Sequence, residues 1–349
     1  MNPTFYTPSE EPREPVLLPQ SSIDPAETRR HFSKIGLAYL VLVAALMIAA
    51  YAMQYAALYL CPALFEEWWF SWAVSLVPLY GVGLPCLWLV LRKIPVSPHN
   101  PDFTDRYRVT AEKPRFGIGQ WILLLVIAFG CMTAGSIVGS TVMWIMSTVM
   151  DYDYAFALNS MVDTTPVWFT FLCTCVCAPL GEELLFRKLL IDRTRRYGDL
   201  TAILLSGLLF GLFHGNLFQF FYAALVGMLM AYVYTRSGSY WWCVAMHAAI
   251  NFMGSVVTPA LAGMVPEDLA FTSSGQILAY QFVTFWQYGT LIAGIVLLCA
   301  LFSRRKLSRG QAPLYRENGP SLVLLNVGMI ACLAVMCLLV AVNLIPARS

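Results

Sequence analysis

Nine stretches of this chain are apolar over lengths that cross a lipid bilayer, and no water-facing fold can hide that much unbroken hydrophobic surface. A span needs about 20 residues as a helix. The stretches are 35–60, 69–91, 117–148, 166–192, 200–216, 217–235, 240–258, 276–303 and 320–345. Only Gly215-Asn216 separates the fifth from the sixth, so eight spans is the alternative count, and the third could be one long tilted helix or a helix plus an interfacial piece. Composition agrees: 58% of residues are hydrophobic and 12% charged, with a mean hydropathy of +0.65. Soluble domains carry roughly twice that share of charge. Disorder is excluded for the chain as a whole, because it needs low hydrophobicity and high charge. The net charge of +2 gives no global basic excess for a nucleic-acid partner. The expected fold is therefore all-α, a polytopic transmembrane helical bundle of eight or nine spans, with the lipid bilayer as its first partner.

The connections between the stretches set the topology. Residues 1–34 are polar and rich in proline, ending in the basic flank Arg29, Arg30 and Lys34, and read as a disordered cytoplasmic tail. Basic residues fill the second connection (Arg92, Lys93, Arg106, Arg108, Lys113, Arg115) and follow the fourth, sixth and eighth stretches (Arg193, Arg195, Arg196; Arg236; Arg304, Arg305, Lys306, Arg309, Arg316). The intervening connections carry Glu66 and Glu67, then Asp151, Asp153 and Asp163, then Glu267 and Asp268. In a nine-span chain with a cytoplasmic amino terminus every basic connection falls on one side, as the positive-inside rule requires. A bacterial inner membrane is the expected location. The chain divides into the tail 1–34, amino-terminal spans 35–150, a core 166–258 and carboxy-terminal spans 276–345.

Ten cysteines fall in or beside these apolar stretches, where Cys serves as a small hydrophobe. Cys173, Cys175 and Cys177 are spaced so that a helix turns the middle sulfur away from the other two, and packing is the expected role.

Ionisable groups inside the spans are costly and mark function. They are Glu182, Glu183 and Arg187, with Lys188 beside them, then His214 and His247; Asn251 follows one turn later. Residues four apart share a helix face, and neighbours differ by about 100°. Glu183 and Arg187 are therefore expected to pair, leaving Glu182 free. His247 shares a face with Asn251, and Phe210 with His214. At 1.5 Å per residue, Glu182 lies about 16 Å from the Arg193 end, His214 about 21 Å from Leu200, and His247 and Asn251 about 10 and 16 Å from Tyr240. All four can meet near mid-membrane. Gly207, Gly211 and Gly215 repeat at a spacing that admits a close neighbour. One such polar group would be read as a tie between helices; a free Glu, two His and an Asn on three spans at matching depth are read as a chemical site.

In pattern form the residues are EExxxR (Glu182 to Arg187), FxxxH (Phe210 to His214) and HxxxN (His247 to Asn251), in that order and each in an apolar span. This resembles the CPBP family, the CAAX-protease and bacteriocin-processing (Abi) intramembrane endopeptidases, over about residues 166–258. The resemblance implies hydrolysis of peptide bonds in membrane-associated peptides or proteins. Glu182 and His214 would activate a water, and His247 with Asn251 would stabilise the oxyanion. Glu183, Arg187 and Phe210 would support them. Residue chemistry agrees, since a carboxylate in low dielectric suits a general base and an amide beside a ring N–H suits developing negative charge.

A metal is left open. Glu182, His214 and His247 could form a His₂Glu zinc site with a vacant fourth position, while the resemblance includes members thought to act as metal-independent glutamate proteases. HExxH, GxGD and a rhomboid-like GxSG are absent. Two other classes stand beside the protease: a proton-coupled carrier using Glu182 and the histidines as a relay, and a catalytically silent immunity or binding protein of the same fold. A carrier often shows internal repeats, and none is present. An intact motif set disfavours the silent form.

Overall fold

The computed structural model describes residues 24–96, 116–151, 165–266, 268–302 and 318–345, with 307, 310 and 312–314 between the last two blocks. Most of the basic residues of the second and eighth connections, and residues 1–23 of the tail, lie outside the described residues. All regular structure among the described residues is helical. The helices are α1 (Pro25–Leu60), α2 (Phe70–Leu91), α3 (Ile118–Met150), α4 (Val167–Tyr197), α5 (Asp199–Phe213), α6 (Leu217–Ser237), α7 (Tyr240–Ala262), α8 (Ser274–Phe302), α9 (Gly319–Leu324) and α10 (Val327–Val342). Seven of them are long and apolar enough to cross a membrane, and α5 and α10 are shorter apolar helices. This is an integral membrane protein.

Four local features differ from, or sharpen, the sequence expectation. The first helix starts at Pro25, ten residues before the expected span. Asp24 accepts the Ala26 N–H at 2.8 Å, Pro25 occupies the first turn, and Phe32 is buried against Tyr197 with ring centroids 4.9 Å apart. The third span is a single helix of 33 residues. The fifth and sixth spans do part at Gly215-Asn216. Gly215 takes φ +63°, and the Asn216 side chain accepts the Gln219 N–H at 3.2 Å to start α6. The last span is broken at Asn326, which accepts from Met329 N and donates to Val323 O, ending α9 and capping α10.

Helix ends gather as the charge alternation requires. At one end His31 Nε2 bonds the Arg193 carbonyl at 2.8 Å, and Arg193 Nε donates to Leu91 O at 3.1 Å. There too Arg195 pairs with Asp199 at 2.9 Å and reaches Thr235 O, and Ala312 N donates to Arg196 O. The start of α1 and the ends of α2, α4 and α6 are thus joined. Trp72 Nε1 bonds Thr165 Oγ1 where the opposite ends of α2 and α4 meet.

Packing is close where glycines permit it. Met228 and Ala224 of α6 lie against Gly207 and Gly211 of α5. Gly130 of α3 meets Gly294 of α8 backbone to backbone, and Gly36 of α1 and Gly328 let α1 and α10 cross without side chains between them. Large apolar side chains such as Ile48, Trp144, Val149 and Phe285 face outward, the arrangement of a lipid-facing surface. The dense core surrounds the second half of α4, where Leu185, Phe186, Arg187 and Leu190 are fully buried.

A Cβ at Gly328 would run into the Ser33 carbonyl oxygen, and the Gly328 N–H donates to Ser33 Oγ at 3.0 Å. Gly328→Leu should therefore separate α1 from α10 and lower the melting temperature, since overpacking costs about 1–3 kcal/mol. Thermal unfolding in detergent measures this.

Candidate active site

Helix α4 is not a regular helix. Its segments Phe171–Cys177 and Leu184–Leu189 are wound as π-turns on either side of Ala178–Glu183, which carries both glutamates. Such turns release backbone groups and cluster at functional sites. In a π register the donor for Thr174 O is residue 179, a proline with no N–H. Asn251 Nδ2 fills that vacancy at 2.7 Å. Other carbonyls of α4 are taken in the same way: Tyr80 bonds Cys177 O, Tyr240 bonds Leu180 O at 2.6 Å, Tyr39 bonds Leu185 O at 2.6 Å and Ser206 bonds Phe186 O at 2.9 Å.

The two glutamates part as their spacing predicts. Glu183 Oε2 lies 2.9 Å from Arg187 Nε, and both side chains are 0% exposed. Glu183 Oε1 also receives His247 Nδ1 at 2.9 Å, a contact that the spacing within α4 could not show. Arg187 is further held by Ser206 Oγ at 2.7 Å, and its guanidinium lies 4.8 Å from the Phe210 ring centre. Phe210 stands edge-on to both His214 and His247, with centroids 4.9 and 5.8 Å apart.

Glu182 Oε2 is buried without a hydrogen-bond partner, and His247 Nε2 lies 3.9 Å away, beyond bonding distance. His214 Nδ1 lies 2.8 Å from Phe210 O. A carbonyl only accepts, so Nδ1 carries the hydrogen and Nε2 of the neutral ring keeps its lone pair. The Asn251 bond to Thr174 O uses one of two amide hydrogens and fixes the plane of the amide. Glu182, His214, His247 and Asn251 all line one cavity of about 650 Å³. Its remaining walls are largely apolar and come from α1, α2, α6 and α10, for example Val43, Leu76, Val226 and Leu339.

Every residue singled out in the sequence except Lys188 belongs to this assembly. Lys188 is half exposed and pairs with Asp192 at 2.6 Å, which in turn accepts from Tyr234. Cys173 and Cys175 are buried; Cys173 lines the cavity, and Cys175 Sγ lies 3.5 Å from Thr174 Oγ1. The zinc set that residue types allowed, Glu182, His214 and His247, is not gathered as a metal-holding group, and no three His, Cys, Asp or Glu side chains among the described residues are. Ser206 was missed, although it sits four residues before Phe210 and eight before His214, on their helix face. Tyr39, Tyr80 and Tyr240 carry no such mark in the sequence.

The match to a known family falls on this assembly. Residues 164–253, about a quarter of the chain, match the family model described as type II CAAX prenyl endopeptidase Rce1-like. The matched segment is thus similar to the CPBP, or CAAX protease, family. The match begins just before α4 and ends two residues after Asn251, so it contains all three motifs. It supports a CAAX-type intramembrane protease. No curated protein and no solved structure matches the chain.

Breaking a buried ion pair by removing one partner costs about 3–5 kcal/mol. Glu183→Gln should therefore lower the melting temperature steeply, because Arg187 stays buried without its carboxylate. Replacing both, Glu183→Gln with Arg187→Met, should recover part of the loss in the same melting experiment.

Proposed function

We propose that this protein is an intramembrane endopeptidase in which Glu182 and His214 activate a water against the peptide bond of a membrane-associated substrate. One observation carries the reading: Glu182 Oε2 has no hydrogen-bond partner and sits on the wall of a cavity that His214, His247 and Asn251 also line. Leaving a carboxylate oxygen unsatisfied in an apolar interior costs free energy, and a site that receives a polar ligand gives that cost a use.

The chemistry follows from the free positions on each group. A water in the cavity donates one hydrogen to Glu182 Oε2 and the other to the bare Nε2 of His214, which aims an oxygen lone pair at the substrate carbonyl. Attack moves a proton to Glu182 and forms the tetrahedral oxyanion. The second Asn251 N–H and Nε2–H of His247 stabilise it, the latter only while His247 is an imidazolium. The Glu183 carboxylate at Nδ1 orients the ring, as the acid of a Ser-His-Asp triad orients its histidine. Glu182 then passes its proton to the leaving amine as the C–N bond breaks. No step runs through a metal.

The apolar walls suit a substrate with an apolar body, and since the family description reads CAAX prenyl endopeptidase, prenylated carboxy-terminal peptides are the first class to assay. Basic helix ends on one side support an amino terminus in the cytoplasm, with a bacterial inner membrane as the proposed location.

Purified protein in detergent, assayed on a cleavable membrane peptide, tests the proposal. Glu182→Gln should abolish cleavage with an unchanged melting temperature, because the amide is nearly isosteric but cannot take the proton. Full activity in this variant would remove Glu182 as base. Asn251→Ala should lower kcat on the order of 10²–10³-fold with little change in KM, the loss typical of one oxyanion donor. A carrier or a silent fold predicts no cleavage by the unaltered protein, and an inter-helix tie alone predicts lower melting with near-normal kcat.

A further inference from the structure

Tyr80 lies in α2, outside the segment that matches the protease family, yet its hydroxyl reaches into the turn of α4 that presents Glu182. The hydroxyl donates to Cys177 O and lies against Gly181. Cys177 and Gly181 are four residues apart, the two ends of an α-helical backbone bond. Tyr80 therefore sits across one step of the helical ladder, immediately before Glu182. Three further features bear on the contact. Tyr80 belongs to the π-turn Leu79–Gly83, which follows Pro78 and disturbs the regular winding of α2 there. Residue 181 is a glycine, and a Cβ there would fall 2.8 Å from Tyr80 Cζ, so any other residue would push the ring away. Tyr240 from α7 bonds Leu180 O at 2.6 Å from a second helix.

We infer that Tyr80 is a positioning residue for Glu182: its hydroxyl, admitted by Gly181, fixes the turn from which the carboxylate projects into the cavity. The inference rests on the reading of Glu182 as the base. A carbonyl that loses its hydroxyl donor inside a bilayer has no water to replace it. Without it the Cys177–Gly181 step is free to rewind, and Glu182 Oε2 moves relative to His214. Most of the ring's contacts survive loss of the hydroxyl, and the ring itself is 36% exposed, so the effect falls on geometry more than on packing.

The test uses the full chain in detergent with the cleavable membrane peptide, following kcat, KM and melting together. Tyr80→Phe is expected to lower kcat by about tenfold to 10²-fold, the scale of a misplaced catalytic group, with KM within about twofold and melting nearly unchanged. Gly181→Ala, which displaces the same hydroxyl from the other side, is expected to give a similar loss. The two changes remove one contact, so the double variant should lose no more than the worse single one. Normal kcat in Tyr80→Phe overturns the inference, as do losses that multiply in the double variant or that track a fall in melting. Glu182→Gln run in parallel separates the two levels. If it is inactive while Tyr80→Phe is normal, Tyr80 alone is wrong; if it is active, the base assignment falls and takes this inference with it.

Discussion

The carboxylate of Glu183, sealed from solvent and shared between Arg187 and His247, is the contact on which the rest of the site depends. An isolated charge at that depth is prohibitively costly, and an ion pair there gains little net stability over an apolar packing. Its value is orientation. Arg187 is fixed by Glu183, by Ser206 and by the face of Phe210, so α4 and α5 cannot slide past each other without breaking charge-assisted bonds. The same carboxylate holds Nδ1 of His247 from α7, which turns Nε2 towards Glu182. Three helices are registered by one buried anion. The adjacent Glu182 stays out of the Arg187 pair because it points some 100° away.

A second constraint comes from the backbone of α4. In lipid every peptide group must find a partner within the protein. The π-turns and Pro179 loosen the regular ladder, and side chains from α1, α2, α5 and α7 occupy carbonyls along it. The irregular winding and the ring of hydroxyl and amide donors require each other. Without the donors the turns would be too costly to keep; without the turns Asn251 would lack the Thr174 carbonyl that sets its plane. Most of these donors lie far from Glu182 in sequence, and Tyr39 and Tyr80 lie outside the family-like segment altogether. The helices around the core thus do more than enclose it.

Much of this was legible before any coordinates. Long apolar stretches give helices because a bilayer admits almost nothing else, and an ionisable group inside them is conspicuous because it is so costly. Spacing of four assigned Glu183 to Arg187 and turned Glu182 away from it, and the structure pairs Glu183 with Arg187. Finer boundaries were less legible. Hydropathy placed the start of the first helix at residue 35 because Arg29, Arg30 and Lys34 are charged, whereas capping by Asp24 and burial of Phe32 against Tyr197 carry the helix back to Pro25. Asn326 marked a break only through its capping geometry, which an apolar average over twenty residues conceals.

The sequence by itself determined the helical class, the membrane location and the four groups that line the cavity, because each follows from local rules of hydropathy, helical spacing and charge cost. Tertiary structure decided what those rules do not reach. It joined His247 to Glu183 across 64 residues, committed one Asn251 N–H to Thr174, and excluded Lys188 by giving it Asp192. It also brought Tyr80 across α4 and withheld the convergence that a zinc ion would need from Glu182, His214 and His247. These are contacts between elements distant in the chain. Their geometry depends on how irregular helices pack, and no periodicity within one helix encodes it.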